Sequence, residues 1–317
     1  MAMSSLFPVL VESVTSEGAR CVRLRLVARA DDENLPGFEP GAHVDIMTPS
    51  GLIRQYSLCG SADDTSAYEV CIKHDNATSR GGSASLCTQV SPGMELQISS
   101  PRNAFTLPEA RRYSLVAGGI GITPLLPMLL RLQRNNAEWE LHYYTREPEQ
   151  APFADMLRNS SYQEHVHFRR SLREGYPDCL NIPSPDTAIM LCGPDGFMNA
   201  VSSHAVAAGW RAEQIHTEYF RPAESSHSLM DQPFEVVLAR SGQTIRVQAG
   251  QSIASALLAA GIEIDLACEQ GMCGACIVPL LAGVGDHRDV VLTQEEQGGH
   301  IALCCSRSRT PSLTLDL

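Results

Sequence analysis

The densest chemistry in the chain lies in one stretch, Cys268-Glu269-Gln270-Gly271-Met272-Cys273-Gly274-Ala275-Cys276. It has one distant partner, Cys304 or Cys305, and 27 residues separate Cys276 from Cys304. C-x4-C-x2-C with a remote fourth cysteine is the plant-type ligand pattern for a [2Fe–2S] cluster. Two irons bridged by two sulfides need four thiolates, converging from one tight loop and one distant segment. Gly271 and Gly274 stand where side chains would crowd such a cluster, and they permit turns that aim backbone N–H groups at sulfur. Structural zinc usually takes two short C-x2-C knuckles, and only one is present here. The chain has eleven cysteines, and residues 1–7 show no basic region followed by an apolar core. The expectation is therefore a reducing, cytoplasmic compartment and cofactor chemistry, not a disulfide framework.

Four further stretches suit anionic ligands. Arg54-Gln55-Tyr56-Ser57 puts a guanidinium and a phenol on one strand face, able to hold a phosphate and stack on a flat ring. Arg80-Gly81-Gly82-Ser83 sets a glycine pair before a helix, whose first N–H groups bind phosphate. Gly118-Gly119-Ile120-Gly121-Ile122-Thr123-Pro124 follows a strand and opens a helix, so an anionic cofactor can approach its backbone, although the spacing is not G-x-G-x-x-G. Cys192-Gly193-Pro194 follows another strand, where parallel sheets place ligands. Each of these also reads as an ordinary turn or surface strand. His142, His165 and His204 show no metal-ligand pairing along the chain, Met190 and Met198 read as core, and Cys21, Cys59, Cys71, Cys87 and Cys179 read as inert buried thiols.

The elements that must position these residues fall into three grammars. Short alternating segments at 6–28, 43–47, 53–59, 67–73 and 94–99 suggest a small antiparallel barrel, with no long helix before Ser83. From Tyr113 the chain alternates strands (114–117, 139–144, 166–169, 188–191) with helices (124–135, 151–157, 195–208), which means a parallel α/β sheet. Residues 222–233 are polar and proline-bounded, an expected linker. Beyond them come a hairpin (234–239 and 243–248), a helix at 252–260 and a strand at 277–281. A capping-box pattern at Thr293–Glu296 and a last strand at 312–317 complete the chain. The expected fold class is multidomain: a β-barrel domain at 1–104, an α/β domain at 105–221, the linker at 222–233 and a cluster domain at 234–317. The net charge of −12, without a basic run, argues against nucleic acid, and no apolar run is long enough to span a membrane. One lysine, Lys73, occurs in the chain.

The order of the motifs carries a resemblance. Arg54–Ser57, Arg80–Ser83, Gly118–Pro124, Cys192–Pro194, Glu218-Tyr219-Phe220 and a C-terminal plant-type cluster resemble the phthalate dioxygenase reductase family, which includes the vanillate demethylase reductases. Asp286-His287-Arg288-Asp289 and Ser306-Arg307 belong to the match, which covers essentially the whole chain. The resemblance implies an antiparallel β-barrel flavin domain, an α/β nicotinamide domain and an α+β β-grasp ferredoxin domain. It implies FMN at Arg54, Tyr56 and Ser57, at Ile72, Lys73 and His74, and at Gly81, Gly82 and Ser83. It implies NADH at Gly118, Gly119, Gly121 and Thr123, with Cys192, Gly193 and Pro194 beside the nicotinamide. Phe220 would cover the flavin and Thr123 touch it, so Thr123, Cys192 and Phe220 are the residues expected around the reacting rings. The fourth thiolate precedes Ser-Arg by one residue in this family, which selects Cys304 to join Cys268, Cys273 and Cys276.

NADH delivers two electrons together and a [2Fe–2S] cluster takes one at a time, so a flavin that handles both belongs between them. The expected activity is an NADH-dependent FMN/[2Fe–2S] oxidoreductase, a monomer feeding a Rieske-type oxygenase. The rivals are a reductase with another acceptor, such as a cytochrome, and a non-catalytic redox sensor. Arg146 could meet the 2′-phosphate of NADPH, but Glu147 and Glu149 would repel it, which favours NADH.

Overall fold

A computed structural model describes residues 6–30, 34–74, 82–158, 163–220, 231–266, 271, 274–289, 291–293 and 295–317. Arg80, Gly81, Cys268, Cys273 and positions 222–230 of the expected linker lie outside these residues. The chain divides into two compact units, Ser4–Tyr219 and Phe220–Leu317.

The larger unit begins with six antiparallel strands: β1 (Phe7–Glu17), β2 (Cys21–Ala28), β3 (His43–Met47), β4 (Ile53–Ser57), β5 (Ala67–Lys73) and β6 (Glu95–Ile98). Their order is β4-β3-β6-β1-β2-β5, and a bridge between Leu58 and Val70 draws the two edges together, which closes the sheet towards a barrel. The alternation visible in the sequence does the packing: Leu24, Leu26, Val44, Ile46, Val70 and Ile98 are fully buried inside. Helix α1 (Gly82–Gln89) lies across one end and buries Leu86.

The same unit continues as a parallel sheet of β7 (Arg112–Gly118), β8 (Glu138–Tyr144), β9 (Val166–Arg169), β10 (Thr187–Cys192) and β11 (Ile215–Glu218), in the order β11-β10-β7-β8-β9. The order steps outward in both directions from β7 and β10, which is where such sheets open a ligand crevice. Helices α2 (Leu125–Arg134), α3 (Ala154–Arg158) and α4 (Asp195–Ala208) accompany it. Gly209 ends α4 in the left-handed conformation, φ 103°. Barrel and sheet are locked together at the β1–β2 turn. The Ala19 N–H donates to the Gln150 carbonyl at 3.0 Å, and the Glu17 carboxylate accepts the Phe153 N–H at 2.8 Å.

The smaller unit holds β12 (Phe234–Leu238), β13 (Thr244–Val247), α5 (Ile253–Ala259), β14 (Ile277–Ala282), β15 (Gly285–Asp286), β16 (His300–Ala302), β17 (Arg307–Ser308) and β18 (Ser312–Leu315). Its main sheet runs β13-β12-β18-β14-β16, with β12 and β18 parallel and the other pairs antiparallel. Helix α5 buries Ile253 and Leu257 against this mixed sheet, a β-grasp. The three architectures are those expected from the sequence. The expected helix at Thr293 shortens to a single 3-10 turn at Glu296–Gly298, but its capping box forms: the Thr293 N–H donates to Glu296 at 2.9 Å and the Glu296 N–H to Thr293 at 3.3 Å.

Candidate functional site

The nicotinamide motifs meet at the carboxyl ends of the parallel strands. Gly118 ends β7, and Gly119–Ile122 form one 3-10 turn before α2. Cys192 ends β10. The two turns pack backbone to backbone: a Cβ on Gly121 would stand 2.3 Å from the Cys192 carbonyl oxygen, and one on Gly193 would stand 3.0 Å from the Gly118 Cα. Glycine is required at both because neighbouring main chain fills the space a side chain would need. Thr123 is buried and donates through its hydroxyl to the Ile120 carbonyl at 3.0 Å, which closes the turn.

Beside these turns lies a cleft of about 560 Å³. It runs past Gly118 and Gly119, past Tyr144–Glu147 after β8, past Arg170 and Ser171 after β9, and past Pro194 and Phe197. Arg20 and Lys73 reach it from the barrel. Among the described residues its charged lining is Arg20, Lys73, Arg146 and Arg170 against the single acid Glu147. In a chain of net charge −12 that concentration of cations marks the cleft for an anion. Arg20, Arg170 and Phe197 escape sequence reading because nothing in their local pattern sets them apart.

The barrel motifs converge nearby. On β4 the side chains alternate as expected. Tyr56 Oη lies 3.0 Å from Ser83 Oγ, at the first turn of α1, and burial pushes the phenol up to about 12, so it remains a neutral donor. Arg54 covers the same turn: a Cβ on Gly82 would stand 2.8 Å from Arg54 Cγ. A guanidinium, two hydroxyls and helix-start N–H groups thus gather at one point, a donor set that fits a phosphate. Ile72 is buried on β5, Lys73 ends that strand and His74 follows it.

Ser57 points the other way, to Glu218, with which it shares a hydrogen bond. Glu218 ends β11, a strand the sequence analysis does not anticipate, and is the register neighbour of Cys192. Burial pushes the Glu218 carboxyl up to about 8 against the Ser57 hydrogen bond, and its Oε2 is buried without a partner among the described residues. His43 Nδ1 lies 4.0 Å from Glu218. Burial, with Arg102 adding to it, pushes His43 down to about 4. Both groups are therefore neutral near pH 7, and the pair is not a salt bridge. The Cys192 thiol is wholly buried and pushed far above its ordinary range by that burial, with Glu218 contributing, so it is a neutral wall and not a nucleophile. A buried carboxyl with a free acceptor atom fits a ring carrying N–H groups. Phe220 is half-buried and falls in the smaller unit.

In the smaller unit, Cys276 is buried and Cys304 accepts the Gly271 N–H at 3.1 Å. Gly271 has φ +69°, and a Cβ there would stand 2.5 Å from Cys305 Sγ. Backbone N–H to sulfur and a cradle that only glycine leaves open are what a thiolate-held cluster needs, so the described half of the donor set fits. Cys304 and Cys305 sit against a polar network that the resemblance motifs build. Ser306 Oγ donates to Asp289 at 3.1 Å and accepts the Arg288 N–H at 3.2 Å. Arg288 binds Asp231 through two nitrogens, at 3.1 and 2.7 Å, and Arg307 approaches the same carboxylate at 3.3 Å. Asp231, placed in the linker by composition, is thereby an anchored part of this unit.

The histidines need one correction. His204 stacks on Tyr176 and His165 tilts onto Trp139. His142, however, is not without metal-ligand company: it lies beside Glu140 and His167, brought together by strand pairing.

Residues 236–309 match the family described as the 2Fe-2S iron-sulfur cluster binding domain. The chain is 42% identical over 296 residues to the vanillate O-demethylase oxidoreductase of Pseudomonas putida, covering 91% of this chain and 93% of that protein. It superposes on phthalate dioxygenase reductase, described as a modular structure for electron transfer from pyridine nucleotides to [2Fe–2S], with TM-score 0.76 and 32% identity over 98% of both chains. An intact type IV self-sufficient cytochrome P450 monooxygenase contains a similar part, with TM-score 0.77 and 36% identity over 98% of this chain and 41% of that one. The order of motifs is thus matched by similarity along nearly the whole length, and the chain belongs to the phthalate dioxygenase reductase family of electron-transfer oxidoreductases.

Proposed function

We propose that this chain takes electrons from NADH through FMN to a [2Fe–2S] cluster and passes them to a Rieske-type oxygenase. The observation that carries the reading is the cationic cleft at the carboxyl ends of β7, β8, β9 and β10, taken with the phosphate-suited turn of α1 in the same unit. Arg20, Lys73, Arg146 and Arg170 hold the dinucleotide's phosphates, and Glu147 in the same lining disfavours a 2′-phosphate, so NADH is preferred over NADPH. Arg54, Tyr56, Gly82 and Ser83 hold the flavin phosphate, with Gly81 beside them. Ile72, Lys73 and His74 flank the flavin, and Phe220 covers it. Gly118, Gly119, Gly121, Gly193 and Pro194 bring the nicotinamide's approach path close to the backbone. Thr123, Cys192 and Ser57 line the reacting rings, and Glu218, neutral and with an unpartnered acceptor oxygen, is the group that receives a ring N–H. Cys268, Cys273, Cys276 and Cys304 hold the cluster. Bound flavin supplies the conversion from paired to single electrons. The domain boundaries proposed are 1–104, 105–221 and 234–317, with the linker at 222–233.

The compartment proposed is the reducing cytoplasm, which suits a thiolate-held cluster. No helix of the described residues is long and apolar enough to cross a membrane. The protein acts as a monomer. A second reading, delivery to a haem acceptor, draws on the similarity to part of a cytochrome P450 monooxygenase.

The test is anaerobic stopped-flow reduction of the full chain and of a variant ending at Arg221, which keeps Phe220. NADH should bleach the flavin in both, faster than NADPH does, and only the full chain should reduce the oxygenase. A truncated protein that loads flavin yet is not reduced would overturn the placement of the hydride-transfer site. Equal delivery to the oxygenase by both would overturn the electron path.

A further inference from the structure

The parallel sheet carries a second group of donor side chains that the electron path does not use. Glu140 and His142, two apart on β8, face the same side. His167 on β9 is the register partner of His142, and the two imidazoles stack at 4.9 Å. Cys179 arrives from a 3-10 turn at Asp178–Asn181. Glu140 Oε2 lies 3.1 Å from His142 Nε2 and 4.0 Å from His167 Nε2, and Cys179 Sγ lies 3.7 Å from His142 Nε2. One donor atom from each of Glu140, His142 and His167 falls within 4.8 Å of the others.

We propose that Glu140, His142, His167 and Cys179 form a zinc-binding site. A tetrahedral zinc ion with bonds of about 2.0–2.3 Å keeps its ligand atoms roughly 3.3–3.8 Å apart. The separations of 3.1, 3.7 and 4.0 Å lie close to that range, whereas Cys179 Sγ, held 3.0 Å from Ser114 Oγ, stands outside the 4.8 Å cluster and must swing inward to complete the tetrahedron. Two imidazoles, a carboxylate and a thiol form a borderline donor set that suits zinc, whereas magnesium and calcium prefer oxygen alone. The carboxylate is already oriented: Ser114 Oγ donates to Glu140 Oε1 at 3.0 Å, which leaves Oε2 facing the imidazoles. An entry path exists. Glu140, His167 and Cys179 line a second cleft of about 460 Å³, reached past Arg112 and Thr187 at the amino ends of β7 and β10, whereas the nicotinamide cleft is at the carboxyl ends. His142 is buried at the floor and His167 is exposed at the rim.

The competing arrangement is a bare hydrogen-bond network around the Glu140 carboxylate. His142 Nδ1 is buried without a partner in either case, so it does not separate the two. An ion here would tie β9, the last strand of its sheet, to β8 and to the turn before β10. It would act on local stability and leave NADH oxidation unchanged.

The test uses the full-length, iron- and flavin-loaded protein. Zinc chloride is titrated by calorimetry, and zinc and iron are quantified separately after gel filtration, for the wild type, His167→Ala and Cys179→Ser. The expected result is a single zinc per chain in the wild type, with affinity reduced about tenfold or more in each variant. Zinc should also raise the melting temperature of the wild type and not that of His167→Ala. His167 is exposed, so its loss does not threaten the fold. No zinc bound to the wild type at tens of micromolar would overturn the site and leave the network alone. Equal binding by the wild type and both variants would place the ion elsewhere and overturn it equally.

Discussion

Gly121 in the nucleotide-facing unit and Gly271 in the cluster unit occupy similar places in their motifs but answer different demands. Beside Gly121 the crowding atoms are main chain, the Cys192 carbonyl and the Gly193 nitrogen. Beside Gly271 the nearest is a sulfur, Cys305 Sγ, and the glycine's own N–H donates to another, Cys304 Sγ. One glycine fits main chain to main chain, the other fits main chain to a pair of sulfurs, of which Cys304 is the assigned ligand. The polar groups divide in the same way. Around Glu218 a buried acceptor is left open and both titratable neighbours are neutral, whereas Arg288 and Arg307 are held in charge pairs to Asp231 and Asp286. The first region keeps hydrogen-bonding capacity for something that comes and goes. The second is arranged around something that stays.

Five substitutions break or sharpen that contrast. Cys304→Ser should abolish the cluster, with loss of iron, labile sulfide and the visible absorbance attributable to them, while Cys305→Ser should retain it. Bleaching by Cys305→Ser alone would reverse the ligand assignment. Next in size is Asp231→Ala, which removes the carboxylate that Arg288 and Arg307 share and leaves Arg288 with Asp286 alone among the described carboxylates. Breaking one side of a buried ion pair costs about 3–5 kcal/mol, and urea unfolding followed through the cluster absorbance should read that loss. An unchanged midpoint would mean that the network does not support the cluster unit.

Arg54→Ala should weaken flavin binding by roughly ten- to a hundredfold, since hydrogen bonds to charged groups contribute about 1.5–3 kcal/mol. Fluorescence titration of the flavin-free protein checks it, and acid extraction should return FMN and not FAD. Smallest is Glu218→Gln. Its folded carboxyl titrates near 8 against an ordinary 4.5, so the folded protein holds a proton that the unfolded chain releases. Wild-type stability from this group is full below about 4.5 and is lost as pH rises through about 8. The amide variant should lack that slope, so unfolding midpoints of flavin-free protein should converge at pH 5 and favour the variant at pH 8.5. Parallel curves would remove Glu218 from the account.

Much of this was legible along the chain because it is local. Strand alternation, the cysteine spacing, the boundaries of α4 and the turn at Gly118–Thr123 each depend on neighbours a few residues apart. What stayed hidden depends on register between distant segments. Ile215-His216-Thr217-Glu218 is half-buried along its whole length, so no alternation announced β11, and Glu218 gains its character only when Ser57 and His43 arrive from the barrel. Likewise Glu140 and His142 are two apart in sequence, but His167 joins them only through the β8–β9 register. Asp231 is a third case: it stands in the polar stretch expected as a linker, yet its carboxylate is buried against two arginines that composition does not reveal.

Lys73 is the chain's single lysine, and it stands in the lining of the nicotinamide cleft. The other cations there are guanidinium groups, which amine-directed reagents leave alone. An acylating or isothiocyanate label therefore has one side-chain amine to form a stable adduct with in 317 residues, in addition to the α-amino group. The protein comes with a built-in point of attachment at its nucleotide entrance. Dinucleotide should shield it, and mass spectrometry of partially labelled protein would then give occupancy of the cleft without following any electron.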